Sequence, residues 1–400
     1  LISRCVAVDP AEFAREHWGR APLLSRSADL PRDFQDLLSP DAVDELIAER
    51  GVRTPFIRLA RNGSVLDREC FAGSAGFGAE MPDQVDSAKV LAEFAAGATI
   101  VLQGLHRLWP PIIDFVRTMV DDLGHPAQTN AYITPASNRG FDPHYDVHDV
   151  FVLQVSGEKH WAVHAPVHRD PLPNQPWTDH RDAIGALAHD RPVIDAVLAP
   201  GDALYLPRGW IHSAMALGDT SIHLTVGVAP FTRYDIAHRV LTSLADDADL
   251  RASLPMNLDL TDHDAVGSEV RKTVERILDT LKIAAPEDAV AQSISDRFGE
   301  LTRPAAVRPL QTLATISNLT AATPVQWRHG LIGSVRRRTG TVELSLPGRT
   351  ITFPDVCADA LDAIRAGRPA TAGTLPGLTE EDGLVVVRRL LREAVVVAPA

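Results

Sequence analysis

The chain has 400 residues, 45% hydrophobic and 23% charged, an ordinary globular balance with room for two or three domains. Its formal net charge of −13 makes the whole molecule a poor binder of nucleic acid, and no run reaches the roughly 18 apolar residues of a membrane-spanning helix. Cys5, Cys70 and Cys357 lie too far apart in sequence for a CxxC pair. That argues against a disulfide framework or a thiolate zinc site and, with no secretory pattern at the N-terminus, points to the cytoplasm.

In chain order, Phe13 to Trp18 reads as helix, and Pro22-Leu23-Leu24 leaves it toward a strand. Ser39-Pro40-Asp41 before Val43, Leu46 and Ile47 predicts a capped helix start. Ala98 to Leu102, ended by Gly104, is a buried strand, and Leu108 to Leu123 has helical spacing. From about 128 to 230 short strands alternate with turns: Asn130–Thr134, Asp149–Val155, Lys159–His164, Asp202–Leu206 and Ser221–Val228. That rhythm predicts a β-sandwich or barrel. Residues 166–195, rich in Pro, Asp and His, form an excursion and a candidate lid. Residues 231–300 are helical, with apolar stripes at Ile236, Val240 and Leu244 and at Val270, Val274 and Leu278. The last hundred residues hold the strand Gly340–Leu346, a helix at about 379–393 and a terminal strand Ala394–Val397, the pattern of a winged-helix module.

Asp142-Pro143-His144-Tyr145-Asp146-Val147-His148 is the informative stretch. Residues two apart on a strand share a face, so His144 and Asp146 can hold one metal, with His212 of Gly209-Trp210-Ile211-His212 as the third ligand. Two imidazoles and a carboxylate on one face leave positions open, the pattern of non-haem Fe(II) oxygenases. His148 shares the same parity, and a ligand or a structural, substrate-facing role both stay open. His160, His164, His168, His180 and His189 show no common spacing.

Asn130 to Pro135, Pro143-His144-Tyr145-Asp146, Phe151 to Trp161, Leu204 to His212 and Ser221 to Thr225 occur in this order. Together with Phe13 to Trp18 and Gly97 to Pro110 they resemble the JmjC/cupin-type ribosomal oxygenases over about residues 10–230. The resemblance implies an α+β chain with a double-stranded β-helix (jelly-roll) core at 1–230. A helical dimerisation region at 231–305 and a winged-helix-like domain at 306–400 would follow. It implies an Fe(II)- and 2-oxoglutarate-dependent oxygenase that hydroxylates a protein or peptide side chain, a histidyl or arginyl residue of a ribosomal protein. Lys159 would hold the distal carboxylate of 2-oxoglutarate, because a buried dicarboxylate needs a cation, and Tyr132, Asn130 and Ser221 match positions near the cosubstrate. The partners expected are that substrate and a second copy of the chain, without membrane or nucleic acid. Three rivals remain: a tailoring hydroxylase of a small peptide or natural product, a cupin enzyme that needs no 2-oxo acid, and a non-catalytic regulator binding nucleic acid through Arg336-Arg337-Arg338.

Overall fold

The apolar runs of the first 230 residues become strands in a computed structural model that describes residues 2–399 except 62, 79, 137, 139–141 and 369. They are β1 (Leu23–Ser25), β2 (Ile57–Arg61), β3 (Ser64–Val65), β4 (Ala72–Gly73), β5 (Gln84–Val85) and β6 (Thr99–Leu102). β7 (Ala127–Thr134), β8 (Asp149–His164), β9 (Ile194–Leu198), β10 (Ala203–Leu206) and β11 (Ile211–Val228) follow. β4 and β5 pair with each other. The other nine build one antiparallel sheet among the described residues, ordered β1-β10-β8-β11-β7-β6-β2-β3, with β9 paired to β8. This mixed α/β architecture has a cupin-like core.

Side-chain parity decides which face does what. Phe151, Leu153 and Val155 of β8, Ile222, Leu224 and Val226 of β11, and Ala131 and Ile133 of β7 join one large core. Against them pack Leu46 from the helix Pro40–Ala48, and Ile112, Phe115 and Met119 from Pro110–Leu123. Each large apolar side chain fully buried there contributes about 1.5–3 kcal/mol relative to exposure. Both helices have the expected ends: Ser39 caps the first with Pro at its first turn, and Gly124, with φ +67°, closes the second. The opposite parity, with Val150 and Val152 of β8 and Leu204 and Leu206 of β10, faces a smaller cluster and the cavity beside it.

Two expectations need correction. Asp149–Val155 and Lys159–His164 are not separate strands, since β8 runs through Ser156-Gly157 without a break. The register with β11 instead shifts there, from Leu217↔Glu158 to Ile222↔Ser156 and His223↔Gln154. This bulge changes the parity, so that Lys159, Trp161 and Val163 share the inward face of Val150 and Val152. Gly157 permits it: its φ is +62°, and a Cβ there would lie 2.3 Å from the Thr220 carbonyl oxygen. The stretch from Phe13 is also not a regular α-helix. One turn, Pro10–Glu12, widens into a π-helical turn, Phe13–His17, which sets the Phe13 ring edge-on to Tyr205 at 4.9 Å.

From Phe231 onward the chain forms a second unit. It opens with the helices Arg233–Ser243, His263–Ala284, Glu287–Thr302 and Pro309–Ser317. β12 (Pro324–Trp327), β13 (Ser334–Arg338), β14 (Thr341–Leu346), β15 (Arg349–Pro354), β16 (Ala370–Thr371) and β17 (Val396–Val397) follow, with the helices Ala358–Arg365 and Glu380–Arg392. Val342, Leu344, Leu361, Val387 and Leu390 centre its own core. No described helix is long and apolar enough to cross a membrane.

Candidate metal centre

His144 and His212 face each other across an isolated antiparallel bridge closed by two backbone hydrogen bonds: His144 N–H donates to the His212 carbonyl (3.2 Å), and His212 N–H donates to the His144 carbonyl (2.8 Å). A bridged pair of this kind sends both imidazoles to one side, with ring centroids 4.5 Å apart. Asp146 follows by the same two-residue alternation, although 144–146 is extended chain rather than a full strand. Gly209 N–H donates to the Asp146 carbonyl (3.0 Å) and ties the two segments together. Tyr145, turned the other way, is 1% exposed and packs with Ile184 and Ile211.

One ligand atom from each of His144, Asp146 and His212 lies within 4.8 Å of the others. The imidazole Nδ1 atoms are engaged with the carbonyls of Asp142 (2.7 Å) and Trp210 (3.1 Å). A carbonyl accepts, so Nδ1 carries the proton and Nε2 keeps its lone pair for a metal. His212 Nε2 stands 3.7 Å from Asp146 Oδ2. Burial, with His144 alongside, lowers the His212 pKa to about 4. Burial opposes the charge of Asp146, but His148, His212 and His144 outweigh it and hold the carboxyl below its ordinary value. Two imidazole Nε2 lone pairs beside a carboxylate are the donor set a divalent iron takes. His148 stands outside this trio, with its ring against Gly227, where a Cβ would come within 2.5 Å of it.

The triad opens on a cavity of about 240 Å³ that also contains Lys159, Tyr132 and Thr134. Lys159 is 3% exposed, and its ammonium donates to Thr134 Oγ1 (3.2 Å) with no carboxylate partner among the described residues. Burial lowers its pKa to about 7. Tyr132 hydrogen-bonds Arg58, and its phenol is raised by burial and by the nearby Asp146. Asn130 and Ser221 do not reach this cavity. The Asn130 side chain accepts from Gly104 N–H (3.0 Å), and the Ser221 hydroxyl accepts from Gln154 Nε2 (2.9 Å). Both positions have the expected strand, but their side chains are taken by these partners rather than lining the cavity.

Among the lining residues that escaped the sequence reading, four shape the site most. His223 stacks on Tyr132 at 5.0 Å, and its pKa is pushed well below the ordinary value by burial and by Lys159. Strand parity opposite Ile222 and Leu224 was the signal for it. Trp161 sits edge-on to His223 at 5.6 Å, and only the Gly157 bulge turns it inward. Arg58 comes from β2, 86 residues before His144, and carries no local motif. Trp177 comes from the 166–195 excursion.

A family model described as a JmjC domain matches residues 110–236. Ribosomal oxygenase 1 of Gallus gallus is 30% identical over 305 residues, covering 72% of this chain and 48% of that protein. The bifunctional lysine-specific demethylase and histidyl-hydroxylase NO66 of Drosophila persimilis is 26% identical over 333 residues, covering 76% of this chain and 44% of that protein. The chain thus spans about half the length of the curated relatives it matches. Among solved structures, Escherichia coli ribosomal oxygenase YcfD superposes with a TM-score of 0.54 at 20% identity, over 98% of both chains. The same protein in complex with cobalt and 2-oxoglutarate gives 0.52 at 18% identity, over 99% of both chains. Sequence motifs, site geometry and relatives agree: residues 110–236 match a JmjC domain, and the chain is similar to the JmjC-type ribosomal oxygenases.

Proposed function

We propose that this protein is an Fe(II)- and 2-oxoglutarate-dependent oxygenase that hydroxylates a side chain of a protein, a ribosomal protein in the first instance. The observation that carries this reading is one cavity holding both the His144, Asp146 and His212 triad and the buried ammonium of Lys159. His144, Asp146 and His212 would hold the iron, which supplies oxidative decarboxylation of the 2-oxo acid and hydroxylation of a C–H bond. Lys159 would hold the far carboxylate of the cosubstrate, since a cation buried without a counter-charge is stabilised by an anionic ligand. Thr134 and Tyr132 add hydroxyl donors on the same wall. Asn130 and Ser221 would brace that wall through their hydrogen bonds to Gly104 and Gln154. The apolar faces of Val150, Val152 and Trp161 exclude water from the reacting groups.

Charge favours a neutral target. Among the described residues Arg58 and Lys159 line the cavity, while the one lining carboxylate, Asp146, belongs to the metal. With Lys159 given to the cosubstrate, a guanidinium would still meet Arg58, so a histidyl side chain suits the site better than an arginyl one. The Val270, Val274 and Leu278 stripe is exposed, and we assign the helices of 231–305 to self-association and residues 306–400 to a winged-helix-like module. A monomer in light scattering, in wild type as in Val274→Asp, would remove the dimer. Arg337 pairs with Asp359 and Arg338 with Glu343, which leaves the basic strand poorly suited to nucleic acid. The three cysteines are free, as in a reducing cytoplasm.

The experiment is an anaerobic titration of the apo-protein with Fe(II) and 2-oxoglutarate, following the weak visible charge-transfer band of the chelate. A band in wild type, lost in His212→Ala, supports the assignment. Its absence in wild type refutes it.

A further inference from the structure

The chain between β8 and β9 leaves the sheet and returns to the metal centre. Its Trp177 lines the cavity, with its ring centroid 6.1 Å from that of His144. The Arg181 guanidinium lies 4.9 Å from the indole centroid. Ile184 and Leu187, on the helix Arg181–Leu187, pack with Trp177 against Tyr145 and Ile211. Tyr145 stands between the ligands His144 and Asp146, and its hydroxyl donates to the Gln175 carbonyl (3.1 Å). Gln175 in turn accepts from Leu172 N–H (2.8 Å). Segment 172–187 is therefore anchored to the backbone that carries two ligands. A lid that opens freely has few such buried contacts.

We propose that Trp177 is a specificity-determining residue, a fixed aromatic wall on which a flat, π-bearing target side chain stacks beside the triad. Trp177 presents its indole to the cavity as a rigid planar surface, and stacked rings settle with centroids about 4.5–7 Å apart. Arg181 holds the indole in place through a cation–π contact. Of the flat side chains, a neutral imidazole adds no charge beside Arg58, and an aliphatic side chain gains no stacking. The inference rests on the oxygenase reading above and deepens it by naming the residue that selects the substrate.

The test uses the full chain loaded with Zn(II) and 2-oxoglutarate, with N-acetyl-histidine methylamide and N-acetyl-leucine methylamide as probes. Binding is read by tryptophan fluorescence and by saturation-transfer NMR. The histidine probe should quench the part of the emission that Trp177→Phe removes, and should bind about tenfold more weakly to Trp177→Ala. Arg181→Ala should weaken it about threefold by freeing the indole, and the leucine probe should bind weakly and alike throughout. Trp177→Phe keeps an aromatic ring and an intermediate affinity, so a folding defect in the alanine variant does not decide the matter. Equal affinity of wild type and both Trp177 variants for the histidine probe, or no Trp177-dependent quenching, overturns the proposal. Failure of the Fe(II) charge-transfer band with that quenching intact would sink the oxygenase reading instead.

Discussion

Replacing Lys159 by methionine should strengthen the fold while abolishing cosubstrate binding. Lys159 is 3% exposed, and its release of the proton falls from the ordinary 10.5 to about 7. At 1.36 kcal/mol per pH unit, the charged form costs the folded protein about 4–5 kcal/mol. Between those two pH values the unfolded chain holds a proton that the folded chain has released, so stability rises with pH across the window. The penalty is complete below pH 7 and fades toward 10.5. Methionine fills a similar volume and removes the charge, but leaves the Thr134 hydroxyl without its partner, a loss of about 1 kcal/mol. The net gain for Lys159→Met is then about 3 kcal/mol at pH 6.5, shrinking by about 2–3 kcal/mol at pH 9. Urea unfolding of the full chain, followed by tryptophan fluorescence, measures it, since five of the six tryptophans precede residue 231. Added 2-oxoglutarate should stabilise wild type and not the variant. A variant less stable than wild type at pH 6.5, or a difference independent of pH, would refute the reasoning.

Three further predictions follow from the same cavity. The apparent Kd for 2-oxoglutarate should rise about tenfold per pH unit above 7, as Lys159 loses its charge, and calorimetry in buffers of different ionisation enthalpy should show proton uptake; a flat profile from pH 7 to 9 contradicts this. Gly157→Ala places a Cβ 2.3 Å from the Thr220 carbonyl oxygen at a φ of +62°, so it should cost about 2–3 kcal/mol and weaken cosubstrate binding by turning Lys159 away; unchanged binding would show that the bulge does not set the parity. His212→Ala removes one of three ligand side chains, and equilibrium dialysis should find at least a hundredfold weaker Fe(II) binding, roughly the scale at which even an outer partner's loss is felt.

Much of this protein was written locally. The Ser39 cap, the proline-opened helix at 110–123 and the apolar parity of β7, β8 and β11 follow from residue chemistry within a few positions. The pairing of His144 with Asp146 is equally local, because alternation along extended chain holds whether or not a sheet forms around it. His212 was legible through its motif, but its place opposite His144 depends on an antiparallel bridge spanning 68 residues.

The rest belongs to the tertiary structure. Ser156-Gly157 reads as a turn, yet β11 pairs along both halves of β8 and converts it into a bulge that points Lys159 and Trp161 inward. Asn130 and Ser221 have inward parity, yet Gly104 and Gln154, brought alongside by the sheet, claim their side chains. Arg58 and Trp177 reach the cavity from distant segments with no motif of their own. The sequence by itself determined most of the secondary elements and the identity of the candidate donor trio, because periodicity and ligand chemistry act over neighbouring residues. Only the folded chain decided which polar side chains face the cavity, because that depends on register, on bulges and on which distant partner reaches each group first.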